Sequence, residues 1–229
     1  QLQVRETAPV IRPQEHPDWM FGVLVTGFII LSLTLVFFNK RFFTVLSATF
    51  SKRHLSQLAR EGNLLRERIT VSLSALYIIC MALLVYQIAV HWFGYHHSVL
   101  TGFRLFLIIS LLLVLIWALK LFAMNLLGVI FRTLQSNLEY QLNIFLFSAL
   151  TGLLLLPVLT CSIYLRSDLL LSVCVVIAAA LFTARFVKGL VIGLHRRRFS
   201  YLYLFLYLCA LELLPLLLIL KLALIYNAF

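Results

Sequence analysis

Long runs of apolar residues, separated by short polar stretches, set the pattern of this chain. Six runs are at least 20 residues long, and they cover residues 19–38, 69–92, 103–124, 143–165, 169–192 and 199–226. A helix of about 20 residues crosses the roughly 30 Å hydrocarbon core of a bilayer. The runs are continuous and do not alternate like the strands of a membrane barrel. The pattern therefore predicts an all-α, polytopic membrane bundle with six transmembrane helices, preceded by a short tail over residues 1–18.

Composition and charge agree with this prediction and add an orientation. Charged residues make up only 12% of the chain, about half the usual fraction in a soluble domain. If residues 39–68 face the cytoplasm, 14 of the 19 Lys and Arg residues lie inside and five lie outside. Because basic residues favour the cytoplasmic side, we predict an N-out, C-out topology. Basic residues at helix ends do not form the basic face that nucleic acid binding needs, so no nucleic acid partner is expected.

The segment between the first two runs has helical character of its own. Phe43, Leu46 and Phe50 recur at helical spacing, and basic residues follow them. This predicts a cytoplasmic interfacial amphipathic helix over residues 42–60, which faces either anionic lipid headgroups or a partner protein. The basic residues expected to face lipid or partner are Lys40, Arg41, Lys52, Arg53, Arg196, Arg197 and Arg198.

The other connections differ in length. Only residues 166–168 separate the fourth and fifth runs, so those two helices are expected to be antiparallel neighbours. The polar stretch 135–141 follows the third run, and we expect that it extends the third helix beyond the membrane.

Glu212 is the most informative residue because it lies deep within the sixth run. It is 13 residues from the cytoplasmic start of that run, about 20 Å along a helix, and a charge at such depth needs a partner or a proton. Arg185 lies about 10 Å deep on the fifth run by the same rise. Side chains tilt toward the start of their own helix, so the two lean toward each other on antiparallel helices. We predict an intramembrane Glu212–Arg185 pair and favour a structural clamp over a proton relay, since no second acid or histidine lies at that depth.

Two prolines lie near the middle of the fourth and sixth runs. Pro157 and Pro215 each remove one backbone hydrogen bond and are expected to kink their helices. Such kinks open a cavity beside Glu212 in one interpretation, whereas in the other, favoured here, they are ordinary prolines of membrane helices.

Motifs for chemistry are absent from the sequence. The four cysteines all lie inside apolar runs without metal-ligand spacing; a Cys161–Cys174 disulfide is conceivable, but buried free thiols are favoured. The histidines expected on the outer side have no spacing specific to metal or haem. Glycine loops for phosphate and the motifs of zinc and serine hydrolases are also missing. We therefore expect no catalytic residue, no metal and no cofactor.

The C-terminal run resembles that of a known family. The block Tyr207-Leu208-Cys209-Ala210-Leu211-Glu212-Leu213-Leu214-Pro215, followed by Lys221, is similar to the last span of the Bacteroidota inner-membrane proteins grouped as domain of unknown function 4271. The stretches 39–43 and 60–63 are also like that family. The resemblance implies a multi-pass protein of a bacterial inner membrane, in which Glu212, Pro215 and Lys221 matter most.

These observations favour binding and assembly over catalysis. By association with the envelope export and gliding machinery of Bacteroidota, we expect a subunit or accessory factor of a cell-envelope complex, in contact with other membrane subunits or with copies of itself. The alternative is a small transporter or proton-coupled carrier that uses Glu212 in the membrane.

Overall fold

The fold is a bundle of long α-helices. The computed structural model describes residues 19–50, 68–91, 102–130, 134–165 and 167–194. Their helices are α1 (Trp19–Phe50), α2 (Arg68–His91), α3 (Phe103–Ile130), α4 (Leu134–Leu165) and α5 (Asp168–Leu194). All five are long and apolar enough to cross a membrane. The chain is therefore an all-α, multi-pass membrane protein, as predicted. The sixth span at 199–226 lies outside the described residues and stays a prediction. The N-out, C-out topology also stays a prediction.

Helix α4 is the centre of the described bundle. Its most apolar stretch is 67% buried, while the corresponding stretch of α3 is only 6% buried. Helices α1, α2, α3 and α5 all contact α4. The α4–α5 pair is joined by the short turn that the sequence predicted, and the two helices pack along each other as antiparallel neighbours.

Small residues allow α2 and α4 to approach closely. A Cβ atom added at Gly152 of α4 would lie 3.0 Å from the Cα atom of Tyr77 on α2. Cys80, one turn further along α2, directs its thiol to the Gly152 carbonyl oxygen at 3.5 Å. Because helices in lipid associate through van der Waals packing, a glycine at this contact sets the distance between the two backbones.

Helix α1 differs from the expected arrangement of one span and a separate interfacial helix. It continues from Trp19 to Phe50 and has non-helical backbone angles only at Phe38 (φ −129°, ψ 30°). Beyond this kink, Phe42, Val45 and Ala48 are buried against α2 and α4. The described part of the predicted 42–60 helix therefore packs on the bundle, and residues 51–60 lie outside the described residues.

The polar stretch 135–141 also has a different place from the one expected. Helix α3 ends at Ile130, and the stretch forms the first turns of α4. The polar pattern marks a region near the turn between two spans, but it does not show to which helix that region belongs. From its place on α4, Gln141 contacts α3 through a hydrogen bond to Asn125, described below.

Aromatic side chains join α1, α2 and α3 at the end of the bundle where α1 begins, called here the Trp19 end. The Trp19 ring lies 5.1 Å from that of Tyr86 and 5.3 Å from that of Phe106, between ring centroids. At the same end, His91 of α2 contacts the carboxylate of Asp168 at the start of α5. Aromatic rings of this kind are typical of a membrane–water interface.

Candidate functional site

Polar residues, four of them buried, gather at the opposite end of the bundle, called here the Lys188 end. We name these residues the polar cluster, which consists of Thr49, Asn125, Gln141, Asn143, Arg185 and Lys188. They come from α1, α3, α4 and α5, so the cluster connects four of the five described helices.

The contact between α4 and α5 is built around Asn143. Its side chain is 1% exposed, and its Nδ2 atom donates a hydrogen bond of 3.3 Å to the backbone carbonyl of Arg185. Its Oδ1 atom accepts no hydrogen bond within the part of the chain that the structure describes. Gly189 permits this approach, since a Cβ atom there would lie 2.9 Å from the ring of Tyr140.

The guanidinium of Arg185 is directed along α5 toward the start of that helix. It lies over the Phe182 ring, 5.6 Å from the ring centroid, while the residue as a whole is buried at 8% exposure. A cation over an aromatic face is stabilised by the ring quadrupole. The positive charge therefore lies beside the ring of Phe182, a residue that precedes Arg185 by about one helical turn.

Lys188 joins α5 to two other helices. Its ammonium group donates a hydrogen bond to the carbonyl oxygen of Thr49, in the last described turn of α1. The same group lies 5.5 Å from the ring centroid of Phe147 on α4. The second half of α1 is thus held to the bundle by a polar contact as well as by its apolar face.

Gln141 joins α4 to α3. Its Nε2 atom donates a hydrogen bond of 2.8 Å to Oδ1 of Asn125. Gln141 is buried, whereas Asn125 lies on the exposed side of α3. The contact gives α3 a polar connection to the central helix at the Lys188 end.

The chemistry of the polar cluster is that of helix association. Amide and ammonium groups reach across to neighbouring helices, and each such hydrogen bond contributes about 1 kcal/mol in a membrane. Three or more His, Cys, Asp or Glu side chains in metal-binding proximity do not occur among the described residues. Cys80, Cys161 and Cys174 are free thiols; Cys80 and Cys174 are buried, as favoured from the sequence, whereas Cys161 is exposed.

The residues predicted from the sequence fall into three groups. Arg185 belongs to the polar cluster. Lys40 and Arg41 are exposed on α1 just beyond its kink, and Pro157 is exposed within α4, which remains one helix across it. The others lie outside the described residues: Lys52, Arg53, Arg196, Arg197, Arg198, Glu212 and Pro215.

Sequence reasoning missed most of the polar cluster. Lys188 follows Arg185 by three residues inside an apolar run, which puts both cations on one side of α5. Gln141 and Asn143 lie at the start of the fourth run. The signal that marks them in the sequence is a pair of polar side chains at a membrane boundary. Which neighbours they contact depends on how α1, α3 and α5 surround α4, and spacing along one helix does not contain that information.

Comparison with known proteins identifies the family. The family model for the domain of unknown function 4271 (DUF4271) matches residues 20–223. Neither the curated proteins nor the solved structures give a significant match to this chain. The matched range covers the five described helices except Trp19, and most of the sixth apolar run. The chain is therefore a member of the DUF4271 family, as its C-terminal block suggested.

Proposed function

We propose that this protein is a non-catalytic subunit or accessory factor of a cell-envelope complex in a bacterial inner membrane. The family resemblance favours a protein export or gliding system as that complex. The observation that carries the proposal is the exposure of α3. Its spanning stretch is only 6% buried, so most of its circumference is open to another membrane component.

The open side of α3 is continuous and apolar. Large side chains exposed by about half or more recur at helical spacing along it, and they are Leu107, Ile108, Leu111, Leu115, Leu119, Phe122 and Leu126. A membrane helix of a partner subunit packs on such a surface through van der Waals contacts. The polar cluster supports the same function, because its amide and ammonium groups connect neighbouring helices of the bundle by hydrogen bonds.

The test is site-specific photo-crosslinking in native membranes. A photoreactive residue in place of Leu111 or Leu115 is expected to give a discrete adduct with one membrane protein or with a second copy of this chain. The matched control is Val36 of α1, which is exposed to a similar degree at 73% and is expected to capture lipid. Adducts with lipid alone at Leu111 and Leu115 would contradict the proposal.

The second candidate is a small transporter or proton-coupled carrier. The observation that favours it is the burial of Arg185 beside Asn143 within a membrane span, a position where ionisable residues often mark a transport path. Reconstitution into liposomes distinguishes the two. A carrier moves protons or solute, and Glu212→Gln abolishes that movement while the fold is kept; a subunit gives no flux beyond that of empty liposomes.

A further inference from the structure

Helix α5 presents one face to the bundle and leaves the other open. Leu171, Cys174, Arg185 and Gly189 are buried on the face toward α4. On the opposite face Leu169, Val176 and Val187 are exposed by half or more. The most apolar stretch of α5 is only 17% buried, so a whole helix has room to lie against it.

The length of the chain that follows limits what lies there. Helix α5 ends at Leu194, and the sixth apolar run begins at residue 199. Five residue steps span at most about 17 Å, and packed helices have axes about 8–10 Å apart. At 28 residues the run matches the 27 residues of α5. The run therefore has the reach and the length to return antiparallel along α5.

The position of the Arg185 charge favours one edge of the open face of α5. Phe182, over whose ring the Arg185 guanidinium lies, is 12 residues before Leu194, about 18 Å along α5. Glu212 is 13 residues after residue 199, about 20 Å along the sixth run. The guanidinium and the acid thus lie at matching depths if the two helices are antiparallel.

We propose that residues 199–226 pack antiparallel on α5 along the edge marked by Phe182 and Phe186, with the Glu212 carboxylate beside the Arg185 guanidinium. Positions 182 and 186 lie on one edge of the open face of α5, whereas Ala180 and Ala184 lie on the other, by the 100° step of an α-helix. The proposal leaves the open side of α3 available for a partner subunit.

Native Cys209 provides a direct test in the full chain. It precedes Glu212 by three residues and shares its helix face. In a background with Cys80, Cys161 and Cys174 changed to Ala, Phe186→Cys is expected to form an intramolecular disulfide with Cys209 after mild oxidation in membranes. The matched control is Ala184→Cys, which differs in depth by only about 3 Å but lies on the opposite edge.

The readout is the mobility of the oxidised chain on a gel, with the linked peptides identified by mass spectrometry. The expected result is at least tenfold more linkage for Phe186→Cys than for Ala184→Cys. Preferential linkage of Ala184→Cys, linkage between two chains, or no linkage in either variant would each overturn the proposal. The photo-crosslinks of α3 test the partner function separately, so failure of one is distinguishable from failure of the other.

Discussion

Arg185 and Lys188 show how basic side chains are held in an apolar helix. Both direct their charge to a specific neighbour: the guanidinium lies over the Phe182 ring, and the ammonium binds the carbonyl of Thr49. Removing a charge from water is costly, and partners such as aromatic faces and backbone carbonyls offset part of that cost. The two cations therefore have different partners, although they lie on one side of α5.

The Glu212–Arg185 pair is tested by a double-mutant cycle. If the carboxylate clamps the sixth helix to Arg185, Glu212→Gln or Arg185→Leu alone is expected to cost about 3–5 kcal/mol, because each leaves an uncompensated charge. The double variant is expected to recover much of that loss. The measurement is thermal unfolding in detergent. Additive losses would show that the two residues do not interact.

The Lys188 contact is tested by Lys188→Met. The substitution keeps the apolar stem and removes the hydrogen bond to Thr49, so we expect a loss of about 1 kcal/mol in the free energy of unfolding. Lys40→Met is the control, because Lys40 is exposed on α1. Chemical denaturation in mild detergent compares the two variants, and an equal effect in both would argue against a specific role for the Lys188 contact.

At the scale of elements, close helix contacts and kinks determine the arrangement. Gly152 brings the backbone of α4 against that of α2. The kink at Phe38 turns the second half of α1, so that Phe42 and Val45 meet α2 and α4 rather than a lipid surface. A few positions, such as the glycine contact at Gly152 and the kink at Phe38, thus determine how these apolar helices pack.

Gly152→Ala is expected to destabilise the α2–α4 contact. The added Cβ atom would lie 3.0 Å from Cα and 3.1 Å from the backbone nitrogen of Tyr77, and backbone cannot move aside as a side chain can. We expect a loss of about 1–3 kcal/mol, measured as a lower Tm in detergent. In Gly22→Ala the new Cβ meets nothing within 4 Å, so this control is expected to keep or slightly raise the Tm. Equal Tm values for the two variants would contradict the close-contact argument.

At the scale of the whole molecule, the two ends of the bundle differ in chemistry. Aromatic rings and the His91–Asp168 contact occupy the Trp19 end, and the polar cluster occupies the Lys188 end. The predicted N-out, C-out topology places the Lys188 end, which also carries exposed Lys40 and Arg41, at the cytoplasmic side, and this orientation stays a prediction.

The orientation is tested by cysteine labelling of intact cells in a background without native cysteines. A membrane-impermeant reagent is expected to modify Ser98→Cys, in the predicted outer loop at 93–101, and to spare Ser47→Cys, within the predicted cytoplasmic segment 44–60. Ser47 is exposed on α1, so its protection would result from the membrane rather than from burial. Permeabilised cells provide the positive control, and the reverse labelling pattern would contradict the N-out, C-out prediction.

The class, the family and the positions of five apolar helices were predictable from the sequence alone, whereas the ends of α1, α3 and α4 were not. Long apolar runs require helices because unpaired backbone groups are too costly in lipid, and each of the five predicted runs within the described residues is a helix. The tight connection at residues 166–168 also predicted that α4 and α5 are neighbours, since so short a turn leaves no other arrangement.

Which helix faces meet depends on the packing of the whole bundle and was not predictable from the sequence. In a membrane, apolar residues surround every helix, so the pattern does not mark a buried side as it does in a soluble protein. The sequence predicted an inward role for Arg185, but the partnership of Asn143 with its backbone, the reach of Lys188 to Thr49 and the place of the polar stretch on α4 arise from contacts between residues far apart in the chain. The continuation of α1 beyond its basic turn has the same cause, because the buried side of residues 42–48 is set by α2 and α4 and not by local spacing.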